Sequence, residues 1–310
     1  MTSIYTHRDS NIRKTWVLFS VFLIVVIGIG WIFSQAYGSP GILVFAVIFS
    51  SLMSIISYWY SDKIVLRMTK AKPVTIENAP ELYRIVENLC ITAGLPVPKI
   101  YIVPEKAPNA FATGRNPEHA VVAVTEGLLE RLDRSELEGV LAHELSHVGN
   151  RDMLISTAAV ILVGFIAFLS DIFMRSALFG GFRGRSRNNG NTGIIIFLVA
   201  LAVSILAPIA ATLMRLSISR KREFLADASG ALLTRYPEGL AKALEKISSD
   251  PTPLKVASNT TAHLWFDDPF DNPGGSPEKK KATPWLHKLF MTHPPVGDRI
   301  AALRGMNIKK

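Results

Sequence analysis

The five residues His143-Glu144-Leu145-Ser146-His147 decide how the rest of this chain is interpreted. Two imidazoles four residues apart lie on one face of an α-helix, close enough to bind a single metal ion. The carboxylate of Glu144 is about 100° around the helix from His143. It can therefore reach a water molecule at the metal instead of the metal itself. The spacing predicts a zinc site with a general base beside it.

The sequence around the motif predicts the helix that this spacing requires. Asp133 and Ser135 offer N-cap oxygens, and Ser135 with Glu138 has the spacing of a capping box. Gly149 and Asn150 are helix-stop residues. An apolar stripe runs between these ends, at Leu137, Val140, Leu141, Leu145 and Val148. A surface helix with two ordinary histidines and a solvated glutamate is the other interpretation, and the matched residue types on a capped helix favour the metal site.

The composition indicates a membrane protein. Hydrophobic residues make up 49% of the 310 residues, and the mean hydropathy is +0.27. The excess lies in four segments, at about residues 16–33, 41–59, 154–173 and 193–214. Each approaches the roughly 20 apolar residues that cross a bilayer, and none contains Lys or Arg. One such segment is compatible with a buried core helix, but four are not.

The first two segments are predicted to form an uncleaved hairpin with both ends in the cytoplasm. The first is too long for a secretory signal, and the bulky residues Trp31 and Phe33 close it. The link at residues 34–40 has no charge. Cations flank the pair on both outer sides, at Arg8, Arg13, Lys14, Lys63, Arg67, Lys70 and Lys72. The positive-inside rule therefore places the N-terminus and the region after residue 60 in the cytoplasm.

The topology of the third and fourth segments stays open. Their link, residues 175–192, contains four arginines that a four-pass topology would place outside, against the positive-inside rule. Either the link crosses despite its charge, or this second hairpin enters the bilayer only in part.

A catalytic zinc needs a third protein ligand, and Glu223 is the best candidate. Glu223 and Asp227 are four residues apart and project from one helical face. Glu223 would bind the metal while Asp227 accepts the N–H of a ligand histidine. The alternative is a solvated acid pair on a basic helix. Because the third and fourth apolar segments separate Glu223 from the histidines, all three residues share one side of the membrane only if the crossings between them are even in number. This agrees with a cytoplasmic site.

Residues 80–150 are predicted to form a compact α/β region around the motif. A helix is expected near residues 82–89, and strands at 99–103 and 119–125. The stretch Asn109-Ala110-Phe111-Ala112-Thr113-Gly114 is a candidate further strand. Its first three residues would hold an extended peptide substrate by backbone pairing beside the metal. The simpler interpretation of Asn109 is a turn residue after Pro108. Residues 248–284 are rich in Pro, Asp, Ser and Gly and are expected to form a long exposed loop.

The distribution of charge and the cysteine content argue against a nucleic-acid-binding protein and against a disulfide-stabilised fold. The net charge is +9, but the cations flank membrane segments, where anionic headgroups attract them. No aromatic-basic motif typical of nucleic-acid binding is present. Cys90 is the single cysteine, so the chain has neither a disulfide framework nor a cysteine-based metal site. The expected partners are the lipid bilayer and membrane-protein or peptide substrates, with no nucleic acid; the oligomeric state is left open.

With these motifs in place, the chain resembles the HtpX-type membrane zinc metalloproteases, which are related to the prenyl-peptidase zinc proteases. The resemblance is carried by residues 109–112, by His143 to His147 with Asn150 and Asp152, by residues 223–227, and by Thr292-His293-Pro294-Pro295 with Arg299. It covers almost the whole chain. It implies His143, His147 and Glu223 as the ligands of one catalytic Zn²⁺, and Glu144 as the catalytic acid/base.

The resemblance also implies an ATP-independent endopeptidase that clears damaged membrane proteins. It would be a multi-pass protein of a bacterial inner membrane, with its active site on the cytoplasmic side. The resemblance further places His293 near the site, where neighbouring prolines would rigidify it as a hydrogen-bond donor to the tetrahedral oxyanion. The alternative role of His293 is that of a turn residue before a C-terminal helix.

The expected fold class is an α-helical membrane protein with an α+β zinc-metalloprotease domain, and with helical hairpins flanking and inserted in that domain. The expected domains are a transmembrane hairpin at 1–60, the first catalytic part at 61–153, the second apolar hairpin at 154–214 and the second catalytic part at 215–310. A prenyl-peptide processing protease and a non-catalytic zinc-binding scaffold are the alternatives. An intramembrane protease is disfavoured because the histidine helix is too polar for lipid, and a transporter because the apolar segments lack paired midplane charges.

Overall fold

The computed structural model of the chain describes residues 4–183, 202, 206, 220–257, 261–267 and 294–306. The chain divides into two compact units. The first unit consists of residues 1–12, 60–157 and 218–310, and the second of residues 13–59 and 158–217.

Two long apolar helices make up most of the described part of the second unit. Helix α1 spans Ile4–Tyr37 and helix α2 spans Pro40–Met68. Their apolar parts, 26 and 29 residues long, exceed the roughly 20 residues that a bilayer core requires. The two helices approach closely at Gly30, where a Cβ atom would collide with Ala46. Small residues at such a crossing allow close helix packing in lipid. Each of these two helices is thus long and apolar enough to cross a membrane, which agrees with the expected hairpin, while its bounds as a domain stay a prediction.

The first unit contains a four-stranded sheet. Its strands are β1 (Lys72–Pro73), β2 (Lys99–Val103), β3 (Ala110–Thr113) and β4 (Val121–Thr125). The strand order is β1-β2-β4-β3. Strands β2 and β4 are parallel, whereas β3 pairs antiparallel with β4 in a register that places Phe111 opposite Ala123. The candidate strand at residues 109–114 is therefore a strand from Ala110 to Thr113, and it lies at the edge of the sheet.

Seven further α-helices follow among the described residues, and two of them carry the predicted site. They are α3 (Pro80–Ala93), α4 (Glu126–Arg131), α5 (Arg134–Gly149), α6 (Asp152–Arg183), α7 (Arg220–Thr234), α8 (Pro237–Ser248) and α9 (Val296–Arg304). Helix α5 is central, since it packs against α3, α7, α8, β3 and β4. Its apolar stripe is buried in the main core, with Val140, Leu141 and Leu145 at 0% exposure. Burial of this stripe is what holds the histidine motif in the interior of the unit.

The start of α5 corrects one detail of the sequence interpretation. The capping box is formed by Asp133 and Glu136, and not by Ser135 and Glu138. The Asp133 carboxylate accepts the Glu136 N–H at 3.0 Å, and the Glu136 carboxylate accepts the Asp133 N–H at 2.9 Å. The helix begins at Arg134, so Asp133 takes the N-cap position and the Ser135 hydroxyl donates to the Asp133 carboxylate instead.

Helix α6 begins the third apolar segment directly after α5. The two helices meet at an 83° bend. If this bent pair is counted as one span, it is a third candidate crossing among the described residues. Apart from residues 202 and 206, the fourth segment lies outside the described residues. The number of crossings in the second hairpin therefore stays a prediction.

Candidate active site

Helix α5 places the three motif side chains together in the interior. His143 and Glu144 are buried, at 1% and 2% exposure, because they lie beside the apolar stripe that faces the core. His147 is one turn further along the helix. The Nε2 atoms of His143 and His147 are 3.2 Å apart. The spacing in the sequence is thus realised as two ring nitrogens that converge on one point.

Glu223 reaches the same point from α7. Its Oε2 atom is 3.7 Å from His143 Nε2, and its Oε1 atom is 3.7 Å from His147 Nε2. Helix α7 can lie this close to α5 because residue 230 is glycine. A Cβ atom at Gly230 would be only 2.9 Å from the backbone nitrogen of His143. The close approach of these two helices brings together residues that are 76 positions apart, from His147 to Glu223.

The three side chains fit a zinc ion. One ligand atom from each of them lies within 4.8 Å of the other two. Ligand atoms of a tetrahedral zinc, at about 2.0–2.1 Å from the metal, are about 3.3 Å apart, which is close to the observed separations of 3.2 and 3.7 Å. Each histidine turns its Nδ1 towards a carboxylate, so two unprotonated Nε2 atoms would face each other. Their lone pairs would repel unless a metal ion, or a proton on one of the two rings, lies between them.

Carboxylates behind the ring nitrogens orient both imidazoles. The Nδ1 atom of His147 is hydrogen-bonded to Asp152 Oδ2 at 3.0 Å. The Nδ1 atom of His143 lies 2.9 Å from Asp227 Oδ1. Both contacts favour the tautomer that carries hydrogen on Nδ1 and leaves Nε2 as the ligand atom.

Arg299, on α9, secures the predicted partner of His143. Its guanidinium is fully buried and donates to both carboxylate oxygens of Asp227, at 2.7 and 2.8 Å. Burial alone would raise the pKa of Asp227, but the adjacent Arg299 charge and hydrogen bonds outweigh it and lower that pKa to about 2. Asp227 therefore stays ionised behind His143 at neutral pH.

The two histidines differ in their affinity for a proton. Burial lowers the pKa of His143 to about 4. Burial acts in the same direction on His147, but the Asp152 hydrogen bond and the Glu223 charge outweigh it and raise that pKa to about 9. A metal ion bound at this pair would displace the proton from His147, so metal binding should release a proton.

A segment far along the chain covers the edge of β3 beside the histidines. The Phe266 N–H donates to the Ala110 carbonyl at 2.8 Å. The Asn109 side chain bonds both the N–H and the carbonyl of Asp267, at 3.2 and 3.0 Å. The Phe266 ring stands edge-on to the His143 ring, with 5.0 Å between the ring centroids. Asn109 and Ala110 are thus next to the site, and each has a bonded partner in residues 266–267.

This packing differs from the long exposed loop expected at residues 248–284. Within the described residues 261–267, Leu264, Trp265 and Phe266 are buried. Trp265 packs in a T-shaped contact on Phe111, with 4.9 Å between the ring centroids. The apolar triplet Leu264-Trp265-Phe266 was the sequence signal for this packing. The polar composition of the residues around it favoured an exposed loop instead.

Three other histidines were considered as site residues, and they differ in their surroundings. His263 is buried and bonds the Ser156 carbonyl at 3.1 Å, which is a structural contact. His119 is exposed and contacts Asn116 and Arg115. His293, the predicted oxyanion donor, lies outside the described residues.

Comparison with known proteins settles the family. Residues 77–307 match the family described as Peptidase family M48. The chain belongs to peptidase family M48. A "Protease HtpX homolog" from Caldanaerobacter subterraneus subsp. tengcongensis is 42% identical over 309 residues, 99% of each chain. A protein of the same description from Syntrophobacter fumaroxidans is 46% identical over 299 residues, 96% of this chain and 99% of that one. The resemblance to HtpX-type proteases is confirmed.

A solved structure shares the fold of this M48 chain. The structure described as "Crystal Structure of S. mikatae Ste24p" matches with a TM-score of 0.51 at 21% identity, covering 94% of this chain and 66% of that one. The expected fold class, a helical membrane metalloprotease, is confirmed by the family, the fold and the membrane helices. The M48 chain is thus a membrane-bound metalloprotease, a hydrolase of peptide bonds.

Proposed function

We propose that this M48 peptidase is a zinc-dependent endopeptidase with one catalytic Zn²⁺ held by His143, His147 and Glu223. The observation that carries the proposal is the convergence of two Nε2 atoms, 3.2 Å apart, with a carboxylate 3.7 Å from each. Among the residues that the structure describes, the ligand group has three members. Three protein ligands leave one position for water or substrate, which a catalytic site requires and a closed structural site lacks. Membership of peptidase family M48 favours the enzyme over the non-catalytic scaffold.

The reaction is proposed to proceed by direct attack of water on the scissile carbonyl. Zinc, when bound, supplies a Lewis acid that polarises the carbonyl and lowers the pKa of water to about 7. The Glu144 carboxylate takes the proton from the attacking water and delivers it to the leaving amine. Glu144 suits this role because it is 2% exposed, on the same helix as both histidines. Asp152 and Asp227 hold the imidazoles in one tautomer throughout, and His293 is proposed as the donor to the oxyanion.

The substrate is proposed to bind as an extended chain along β3, at the stretch Asn109-Ala110-Phe111. Strand β3 is a sheet edge next to the histidines, and an edge strand offers backbone groups for pairing. Asn109 bonds Thr125 of β4, so alternation directs the backbone groups of Ala110 and Ala112 outward. Since the Ala110 carbonyl already bonds Phe266, the outward groups of Ala112 are the next ones that a substrate would meet.

The cellular role is proposed to be the removal of damaged or misfolded membrane proteins from a bacterial inner membrane, with the site on the cytoplasmic side. The basic flanks of the membrane hairpin and the bacterial HtpX relatives support this. The predicted domains are carried into this proposal. Hairpins at 1–60 and 154–214 would anchor a catalytic domain formed by 61–153 and 215–310, and the two compact units support such a division.

Two variants and a matched control test the mechanism. Glu144→Gln should retain one zinc per chain and lose cleavage of a model membrane substrate by about 10²- to 10⁴-fold, the usual range for general acid–base catalysis. Glu223→Ala should lose the zinc itself. Glu138→Gln, on the exposed side of the same helix, should change neither. Cleavage at the wild-type rate by Glu144→Gln, or full zinc content in Glu223→Ala, would contradict the proposal.

A further inference from the structure

Asn11 on α1 is a buried polar residue outside every motif discussed above. Its side chain is 3% exposed. Its Nδ2 donates to Asp152 Oδ1 at 2.5 Å and to the Asn150 carbonyl at 3.2 Å. These three residues belong to the same compact unit, although Asn11 is about 140 positions from the other two. Two such long-range hydrogen bonds in the interior indicate that this amide holds the groups that it contacts in place.

The bond to Asp152 leads directly to a proposed metal ligand. While Oδ1 of Asp152 accepts from Asn11, Oδ2 of the same carboxylate is bonded to His147 Nδ1 at 3.0 Å. Oδ1 is also 3.7 Å from the Arg222 guanidinium. The carboxylate plane is therefore held from one side by Asn11 and Arg222, and its other oxygen determines the orientation of the His147 ring.

The bond to Asn150 supports the turn from which Asp152 projects. Helix α5 ends at Gly149, α6 begins at Asp152, and the two helices are bent by 83°. Between them, Arg151 has a φ of +56°, a left-handed conformation that costs energy in a residue with a side chain. A turn of this kind needs support from outside itself. Asn11 supplies it, since one amide group bonds both the turn carbonyl and the carboxylate that follows the turn.

We propose that Asn11 is a positioning residue of the metal site. By holding Asp152 and the α5–α6 turn, it keeps the His147 ring in the orientation that presents Nε2 to the metal. The inference rests on the proposed zinc site and adds to it a residue of the first membrane helix. Loss of a group that orients a metal ligand typically lowers metal affinity by 10- to 100-fold. Because Asn11 acts through Asp152, we expect a loss near the lower end, about 10-fold.

The test uses the full chain in detergent and two readouts that need no turnover. Zn²⁺ affinity is measured by competition with a chromophoric chelator, and ligand geometry by the visible absorption spectrum of the Co²⁺-loaded protein. Asn11→Ala removes the donor, and Asn11→Asp keeps the size but places a second carboxylate next to Asp152. Both should weaken Zn²⁺ binding by about 10-fold or more and change the Co²⁺ spectrum. Asn88→Ala, at an exposed position on α3, is the matched control and should change neither.

The outcomes separate this inference from the proposed function. His147→Ala should abolish Zn²⁺ binding; if it binds Zn²⁺ as wild type does, the zinc site and the role of Asn11 are both refuted. If His147→Ala loses the metal but both Asn11 variants keep wild-type affinity and spectrum, only the role of Asn11 is refuted. A purely structural role would lower the melting temperature of the metal-free protein and leave the Co²⁺ spectrum of the folded fraction unchanged, which also overturns the inference.

Discussion

Loss of one partner of the buried ion pair between Arg299 and Asp227 should strongly destabilise the catalytic unit, and Arg299→Met tests this. Arg299 is at 0% exposure and Asp227 at 2%. The variant loses two charge-assisted hydrogen bonds, at 2.7 and 2.8 Å, and a third to the Phe266 carbonyl at 3.2 Å. Methionine fills much of the space but leaves the Asp227 charge buried without its partner. Removing one member of a buried pair costs about 3–5 kcal/mol, which is the loss of unfolding free energy that we expect.

The assay is urea unfolding of metal-free protein in detergent, so that loss of zinc does not contribute. Arg304→Met is the control on the same helix, because Arg304 pairs with Glu238 at the surface, where both side chains are over a third exposed. That change should leave the urea midpoint almost unchanged, because solvent screens a pair at the surface. The double variant Asp227→Asn/Arg299→Met removes both charges and should lose less than the sum of the two single variants, with a coupling of about 2 kcal/mol.

The loss of unfolding free energy in Arg299→Met should depend on pH in one direction only. In the wild type the pKa of Asp227 is lowered to about 2, below its unfolded value of about 3.9. The pair therefore contributes stability above pH 4 that is lost as the pH falls towards 2. Without Arg299, burial raises the pKa of Asp227. As the pH falls, the buried carboxylate of the folded variant is therefore neutralised at a higher pH than in the wild type. The difference in unfolding free energy between the wild type and Arg299→Met should become smaller as the pH falls from 7 to 4. A loss of unfolding free energy below about 1 kcal/mol at pH 7, or losses in the two single variants that add up to the loss in the double variant, would contradict this prediction.

Three further predictions concern packing, a thiol and a helix cap. Gly230→Ala should weaken Zn²⁺ binding measured by chelator competition, because its Cβ would lie 2.9 Å from the His143 nitrogen and push α7 away; Gly297→Ala, with open space around it, is the control. Burial raises the pKa of Cys90 to about 11, so at pH 8 its alkylation should be at least about 100-fold slower in folded than in urea-unfolded protein, and equal rates would contradict this. Asp133→Ala removes the N-cap of α5 and should lower the unfolding free energy by about 1 kcal/mol; an unchanged urea midpoint would exclude the capping role.

Local spacing explains which features were predictable. The histidines lie one helical turn apart, and the glutamate and aspartate of α7 share a face for the same reason. Both relations follow from the 3.6-residue period, which the sequence displays directly. The membrane hairpin is equally predictable, since apolar length alone determines whether a helix can span lipid. The capping box was misplaced because Asp133 and Ser135 are both good N-caps, and only the first turn of the folded helix distinguishes them.

The features that were missed depend on chain segments that meet only in three dimensions. The role of Asp152 depends on the bend after α5, and the role of Asn11 depends on the start of α1 lying against that bend. The packing of Phe266 on His143 joins residues 123 positions apart. No periodicity links such positions, so the pattern of residue types does not reveal them.

The chemistry that this protein offers can be read from the order of its residues: two imidazoles on one helical turn, a carboxylate beside them and a pair of apolar helices long enough for a bilayer. The distant groups that complete that chemistry become visible once the helices are packed together. The approach of α7 at Gly230, the Arg299 pair behind Asp227 and the amide of Asn11 behind Asp152 all result from packing. The physical reason is that helix period and hydrophobicity act over neighbouring residues, whereas the orientation of a metal ligand depends on contacts between segments that are remote in the chain.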